Sequence, residues 1–193
     1  MFDLIFNLFF LSIGLLLIIL YFWYAGIISK KNKVKESLGS IDVQLKKRSN
    51  LIPNILKIAS KFMEHEKDLI TQVTKLRAKS DSNYDADDIN SVKDHLKNAG
   101  ALDQNLGQLM IAVENYPVLK SDQTMLQAQK TYNEIEAQIA AARRFYNSAV
   151  TSLNNSIEIF PGNLLARLAR AKIMPFYEAD EESKAPIDAS NFF

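Results

Sequence analysis

The apolar positions of this chain follow two patterns. From Leu4 to Ile28 they are nearly continuous: LIFNLFFLSIGLLLIILYFWYAGII contains no charge, and only Asn7 and Ser12 are noticeably polar. Beyond it they recur at alternating steps of four and three, the spacing that puts side chains on one face of a helix. The first pattern exceeds the ~20 apolar residues needed to cross a bilayer core. It predicts an uncleaved transmembrane anchor starting at Leu4. Trp23 and Tyr24 stand at its far end, where an interfacial aromatic belt belongs, and Lys30, Lys31 and Lys33 follow at once. A secretory signal peptide would need a basic start, a shorter apolar run and a small-x-small cleavage site, which are absent. With the lysines after the span and only Met1, Phe2 and Asp3 before it, the positive-inside rule predicts an external N-terminus and a cytoplasmic remainder.

The second pattern predicts long helices. On the first, Val34, Leu38, Ile41, Leu45, Ile52, Ile55, Ala59, Phe62, Leu69, Val73 and Leu76 form a heptad-like seam. The seam stays in phase across Pro53, which is expected to kink this helix rather than end it. SDSNYDAD (80–87) is a polar connector. A second helix carries Ile89, Val92, Leu96, Ala99, Leu102, Leu106, Leu109 and Val113. Gly100 and Gly107 lie inside it, where close approach of a neighbouring backbone would offset their poor helix propensity. A third helix, capped by Ser121, carries Ala128, Tyr132, Ile135, Ile139, Ala142, Tyr146, Ala149, Leu153 and Phe160. A short fourth runs from Leu164 to about Met174, capped by Asn163 and stopped by Pro175. The fold class is therefore all-α: one N-terminal transmembrane helix followed by an antiparallel bundle of long helices. Three regions are expected: an anchor over residues 1–29, a helical bundle over 30–178, and an acidic, flexible tail over 179–193. Phe192 and Phe193 offer a second reading of that tail, as a plug that docks on the bundle or on a partner.

Composition narrows the chemistry. The 23 basic and 22 acidic residues nearly cancel, which argues against nucleic acid as a partner. There is no cysteine, hence no disulfide, thiolate metal site or thiol nucleophile. Glu64-His65-Glu66 invites a metal reading. A zinc helix would need a second histidine where Leu69 stands, and His95, on another helix, lacks the Glu-x-x-His motif of bundle metal sites. No catalytic residue, cofactor or metal is expected.

Two charges interrupt the first seam, Arg48 and Glu66. A charge in a helical interface is costly unless paired. Glu66 is expected to pair with Arg143 or Arg144, beside the seam position Ala142, and so to fix helix register. Solvation of both charges through helix rotation or the Pro53 kink is the plainer alternative.

Four blocks carry a family resemblance: IDVQLKKRSNLIPNILKIASKFMEHE (41–66), VENYPVLKS (113–121), IAAARRFYNSAV (139–150) and FPGNLLA (160–166). In this order behind a single anchor, they resemble the bacterial LemA family. Leu38 departs from a tryptophan that the family usually has just before the first block. The resemblance implies a LemA-like four-helix bundle held at the bacterial inner membrane, with no established catalytic site and with relatives in the magnetosome membrane. The expected function is a non-enzymatic, membrane-anchored scaffold, a homo-oligomer that organises or shapes the lipid bilayer. An adaptor recruiting a protein partner through the fourth helix or the tail is the alternative.

Overall fold

The computed structural model describes residues 2–178; the tail expected over 179–193, with Phe192 and Phe193, lies outside the described residues. All regular structure within them is helical: α1 (Phe2–Ala59), a 3₁₀ turn (Glu64–Glu66), α2 (Lys67–Ser80), α3 (Ile89–Val113), α4 (Pro117–Lys120), α5 (Gln123–Glu158) and α6 (Gly162–Leu168). The chain forms two compact units. One holds residues 2–39 and 145–174, the other residues 40–144 and 175–178.

In the larger unit four helical segments run up and down. Arg77 and Asp81 of the α2 end reach Ser49 and Lys46 of α1, so α2 descends antiparallel to α1. His95 pairs with Asp42 and Ala99 with Arg48, so α3 rises parallel to α1. The core contains much of the seam read from the sequence: Ile52, Ile55 and Ala59 of α1, Val73 of α2, Leu102, Leu106, Leu109 and Val113 of α3, and Ala128 and Tyr132 of α5. Met63, Leu119 and Met125, which the spacing did not mark, join them. Asp88 caps α3, its carboxylate accepting from the Ser91 N–H at 2.8 Å.

Several expectations change here. The helix continues through Pro53, but α1 stops at Ala59 instead of continuing to Leu76. The buried side chain after the stop is Met63, while Phe62 is exposed. The chain is turning, so heptad counting no longer applies. Asp122, not Ser121, caps α5, accepting from the Met125 N–H at 2.9 Å; the Ser121 hydroxyl turns back to the Pro117 carbonyl. Nothing lies within 4 Å of a Cβ built on Gly107, so no close backbone explains that glycine. In the second half of α5 the buried seam ends at Leu153, and Phe160 is exposed.

In the smaller unit the end of α5 runs antiparallel to α1: Lys33 lies over the Phe145 ring, and Ser156 lies beside Gly26 and Ile27. Ile27, Val34, Leu38, Tyr146, Val150 and Leu153 are buried there. After the cis Phe160–Pro161 bond, α6 covers only seven residues. Asn163 falls inside it rather than capping it. It ends well before Pro175, because Arg170 turns left-handed (φ 47°) and its N–H and that of Ala171 bond the Arg167 and Ala166 carbonyls. That is a Schellman stop built without glycine. Asn154 then holds the following strand of chain: its amide donates to the Met174 carbonyl and accepts from the Met174 N–H.

Gly162 starts α6 against the backbone of the preceding turn. A Cβ there would overlap the Ser156 carbonyl oxygen, so the position admits no side chain. Gly162→Ala should therefore cost roughly 2–3 kcal/mol, the upper range for overpacking. Gly107→Ala, with open space around it, should gain about 0.5–1 kcal/mol of helix propensity. Thermal unfolding of both variants in detergent, followed by circular dichroism, checks the pair; equal melting temperatures would remove the close approach from the argument.

Candidate functional site

The most heavily charged interior point of the chain is built on Arg48. It sits on the α1 seam between Leu45 and Ile52 and is only 1% exposed. A guanidinium carries five donors and no means of losing its proton, so burying it demands acceptors from several directions. Three helices meet at this one side chain. On α3, Nη2 donates to the Ala99 carbonyl at 2.9 Å and Nη1 to Asp103 Oδ1 at 3.1 Å; on α5, Nη1 donates to Glu136 Oε1 at 3.2 Å. Arg143, one helical turn or two beyond Glu136, approaches the other oxygen of Asp103 at 3.6 Å and lays its guanidinium over the Tyr177 ring at 4.5 Å.

The electrostatics are crowded. Burial raises Glu136 above the ordinary carboxyl range, to about 7; Arg48 opposes the rise, and the Asp103 charge, together with a hydrogen bond shared with Asp103, adds to it. Burial likewise pushes the Tyr132 and Tyr177 hydroxyls upward, so both stay neutral. Near neutrality the Glu136 carboxyl is therefore partly protonated. Every donor named on Arg48 is directed at a fixed acceptor of the fold, and the group is shut from solvent. Such a cluster fixes which turns of α1, α3 and α5 lie opposite one another.

Two further polar contacts support the register. The Tyr84 hydroxyl donates to Asp42 Oδ2 at 2.7 Å, His95 Nε2 meets Asp42 Oδ1 at 2.9 Å, and the two rings stack with centroids 4.0 Å apart. Asp81 accepts from the Ser49 hydroxyl at 2.6 Å and from Lys46 at 3.2 Å. Burial works against the Asp81 charge, but these partners and Arg77 outweigh it and lower its pKa.

Of the four seam charges singled out from the sequence, the structure brings Arg48 and Arg143 to the same cluster. Glu66 is not there. It lies in the 3₁₀ turn after α1, with Glu64 and His65 exposed beside it, and Arg144 points outward from α5. The pairing of Glu66 with Arg143 or Arg144 is therefore corrected: Asp103 is the carboxylate beside Arg143, because α1 ends before the seam reaches Glu66. Phe145, next to the seam position Tyr146, is 44% exposed beneath Lys33.

At the other end of α1 an 18-residue apolar stretch has none of its length buried within the protein. Leu4 and Trp23 are exposed, while Tyr24, Lys30 and Lys31 are half-buried. Lys33 pairs with Glu36 at 3.0 Å, and Lys31 donates to the Arg170 carbonyl at 3.3 Å.

A family model described as the LemA family matches residues 37–190, from the second half of α1 past the last helix. The chain belongs to the LemA family. Protein LemA of Metamycoplasma hominis is 28% identical over 186 residues, spanning 94% of this chain and 81% of that protein. Magnetosome protein MamQ 2 of Paramagnetospirillum magneticum is 22% identical over 190 residues (88% and 70%), and MamQ of Magnetospirillum gryphiswaldense 20% over the same length. With its exposed apolar helix, this LemA-family chain is a membrane-associated helical protein.

Removing Arg48 strands two carboxyl groups, and truncating one member of a buried ion pair costs about 3–5 kcal/mol. Arg48→Met should destabilise by that order in urea unfolding, and less at pH 5 than at pH 8, where Glu136 is ionised. The wild-type pH dependence has a definite sign. Because the folded value of Glu136 (about 7) lies above its ordinary 4.5, folding takes up a proton between the two, and stability falls as pH rises through that window. Glu136→Gln should flatten this fall. An unchanged slope between pH 5 and 8 would show that another group carries it.

Proposed function

We propose that this protein is a non-enzymatic membrane scaffold whose helical bundle self-associates to organise or shape a bacterial inner membrane, with the N-terminus outside and the bundle in the cytoplasm. The observation that carries this reading is where the polar and apolar groups lie. The buried charges of the larger unit are engaged with one another, whereas large apolar side chains lie on its outer surface. Ile111, on α3, is 71% exposed and borders a shallow groove with Met110, Gln129 and Asn133 of α3 and α5. Val118 and Leu126 are exposed nearby in sequence. A lateral helical face of this kind suits contact with a second copy, and a repeated heterologous contact builds rings or open arrays. The names of the MamQ relatives, magnetosome proteins, support a role in organising membrane. The lysines that follow the apolar stretch support the orientation.

The absence of native cysteine makes the test direct. Ile111→Cys should crosslink copies in native membranes, and protein purified into nanodiscs should form dimers or larger assemblies by electron microscopy. A monodisperse monomer that does not crosslink at native density overturns the scaffold. A reporter fused after Phe193 should be active in the cytoplasm; periplasmic activity reverses the orientation.

A further inference from the structure

We propose that α6 and the turn before it form a second membrane contact, a short interfacial element that lies in the headgroup region beside the transmembrane helix. The evidence begins with an inverted distribution of side-chain size. The face of α6 turned into its unit carries Gly162, Ala166 and Ala169, all buried. The face turned out carries Leu164 and Leu168, exposed at 66 and 73%, and Phe160 in the turn before the helix is 72% exposed. Ile159 and Ile173 flank them, also exposed. A short helix in water is expected to bury its leucines and expose its polar residues. This one buries its smallest residues and presents its largest apolar ones.

Position along α1 says what covers that face. Ser156 lies in one groove with Phe22, Trp23, Gly26, Ile27 and Lys30, and a Cβ on Gly162 would be 3.9 Å from the Ile27 side chain. Lys31 reaches the Arg170 carbonyl at 3.3 Å. The element is thus fastened to α1 between Ile27 and Lys31, a span beginning about 6 Å along the helix from Trp23 at 1.5 Å per residue. Trp23 and Tyr24 are the aromatic belt, and such residues sit at headgroup level. Interfacial helices bury their apolar face in the boundary between headgroups and acyl chains, and α6 is fastened within about two turns of the belt, on its lysine side. Charge agrees with lipid as the occupant. Arg167, Arg170 and Lys172 are exposed around the apolar stripe, with Glu158 the one acidic residue between Ile157 and Phe176, and basic groups at this depth attract anionic headgroups. The exposed leucines, the adjoining belt and the basic rim then share one explanation: the protein grips the bilayer at two places, by a span and by a surface element beside it.

The inference rests on α1 spanning the bilayer and does not require self-association, so its test includes a readout of the span. In the cysteine-free full-length chain, Leu168→Cys, Leu15→Cys and Gln123→Cys are each labelled with an environment-sensitive fluorophore in liposomes containing anionic lipid. Lipids carrying a nitroxide near the headgroup should quench the label at residue 168 roughly twofold, with blue-shifted emission, as expected of an interfacial site. The label at residue 123, on an exposed position of the other unit, should emit as in water. Water-like emission at residue 168 with a lipid-buried label at residue 15 overturns the second contact and leaves the span standing. Blue-shifted emission at residue 168 that lipid quenchers do not touch also overturns it, since a second copy or another protein then covers the face. Water-like emission at residue 15 removes the span, and the inference with it.

Discussion

A buried guanidinium that cannot lose its proton governs the larger unit. Taking Arg48 out of water costs several kcal/mol, and the cost is offset only when well-placed acceptors replace the lost hydration. Those acceptors come from α3 and α5 at once, through Ala99, Asp103 and Glu136. An apolar seam with repeats every seven residues packs almost as well after a slip of one heptad. A seam with one arginine does not, because a slip would leave the charge facing Leu or Ala. The ion cluster therefore contributes little net stability but makes one alignment much better than its neighbours. Burial is what raises the Glu136 carboxyl toward neutrality, with the neighbouring Asp103 charge adding to the rise and Arg48 opposing it.

The helical content and most of the core were legible from spacing alone. Val92 to Val113 on α3 and Ala128 to Leu153 on α5 follow the read positions closely, because an uninterrupted helix converts sequence distance into angle at a constant rate. Where a helix stops, that conversion stops with it. Past Ala59 the chain turns over a few residues, so Glu66 was assigned a seam position that no longer exists, and its partners were misassigned with it. Arg48 was visible as an anomaly because it lies on the seam. Asp103 and Glu136 were not, since each sits one residue off it, beside Leu102 and Ile135, where a carboxylate looks like ordinary surface. A search for acidic residues flanking the seam, at the level of a buried basic one, would have found both. The Tyr84–Asp42–His95 contact depends on the 81–88 connector folding back on α1, for which no periodicity exists.

Pro53 illustrates how strongly context overrides local preference. In an isolated helix it removes one hydrogen bond and strains the preceding turn, at about 3 kcal/mol. Here Ile52 and Ile55 on either side are fully buried, and their packing holds the helix through it. The stop comes six residues later, at Ala59, and the turn that follows buries Met63.

The two units follow opposite rules at their surfaces, and this bears on how the chain should be read. In the larger unit the surface is mostly charged and polar, with Ile111, Val118 and Leu126 standing out from it. In the smaller unit the outward faces of α1 and α6 are both apolar, and at α6 glycine and alanine do the packing. Between lipid-facing helices the gain from hiding leucine disappears, and close backbone approach through small residues is what binds one element to another. Gly162 against the Ser156 carbonyl, followed by Ala166 and Ala169, has that character. In water, α6 would be a short helix with Leu164 and Leu168 on the wrong side. Read at the level of Ile27 to Lys31, beside an aromatic belt, the same residues describe an element whose solvent on one side is lipid.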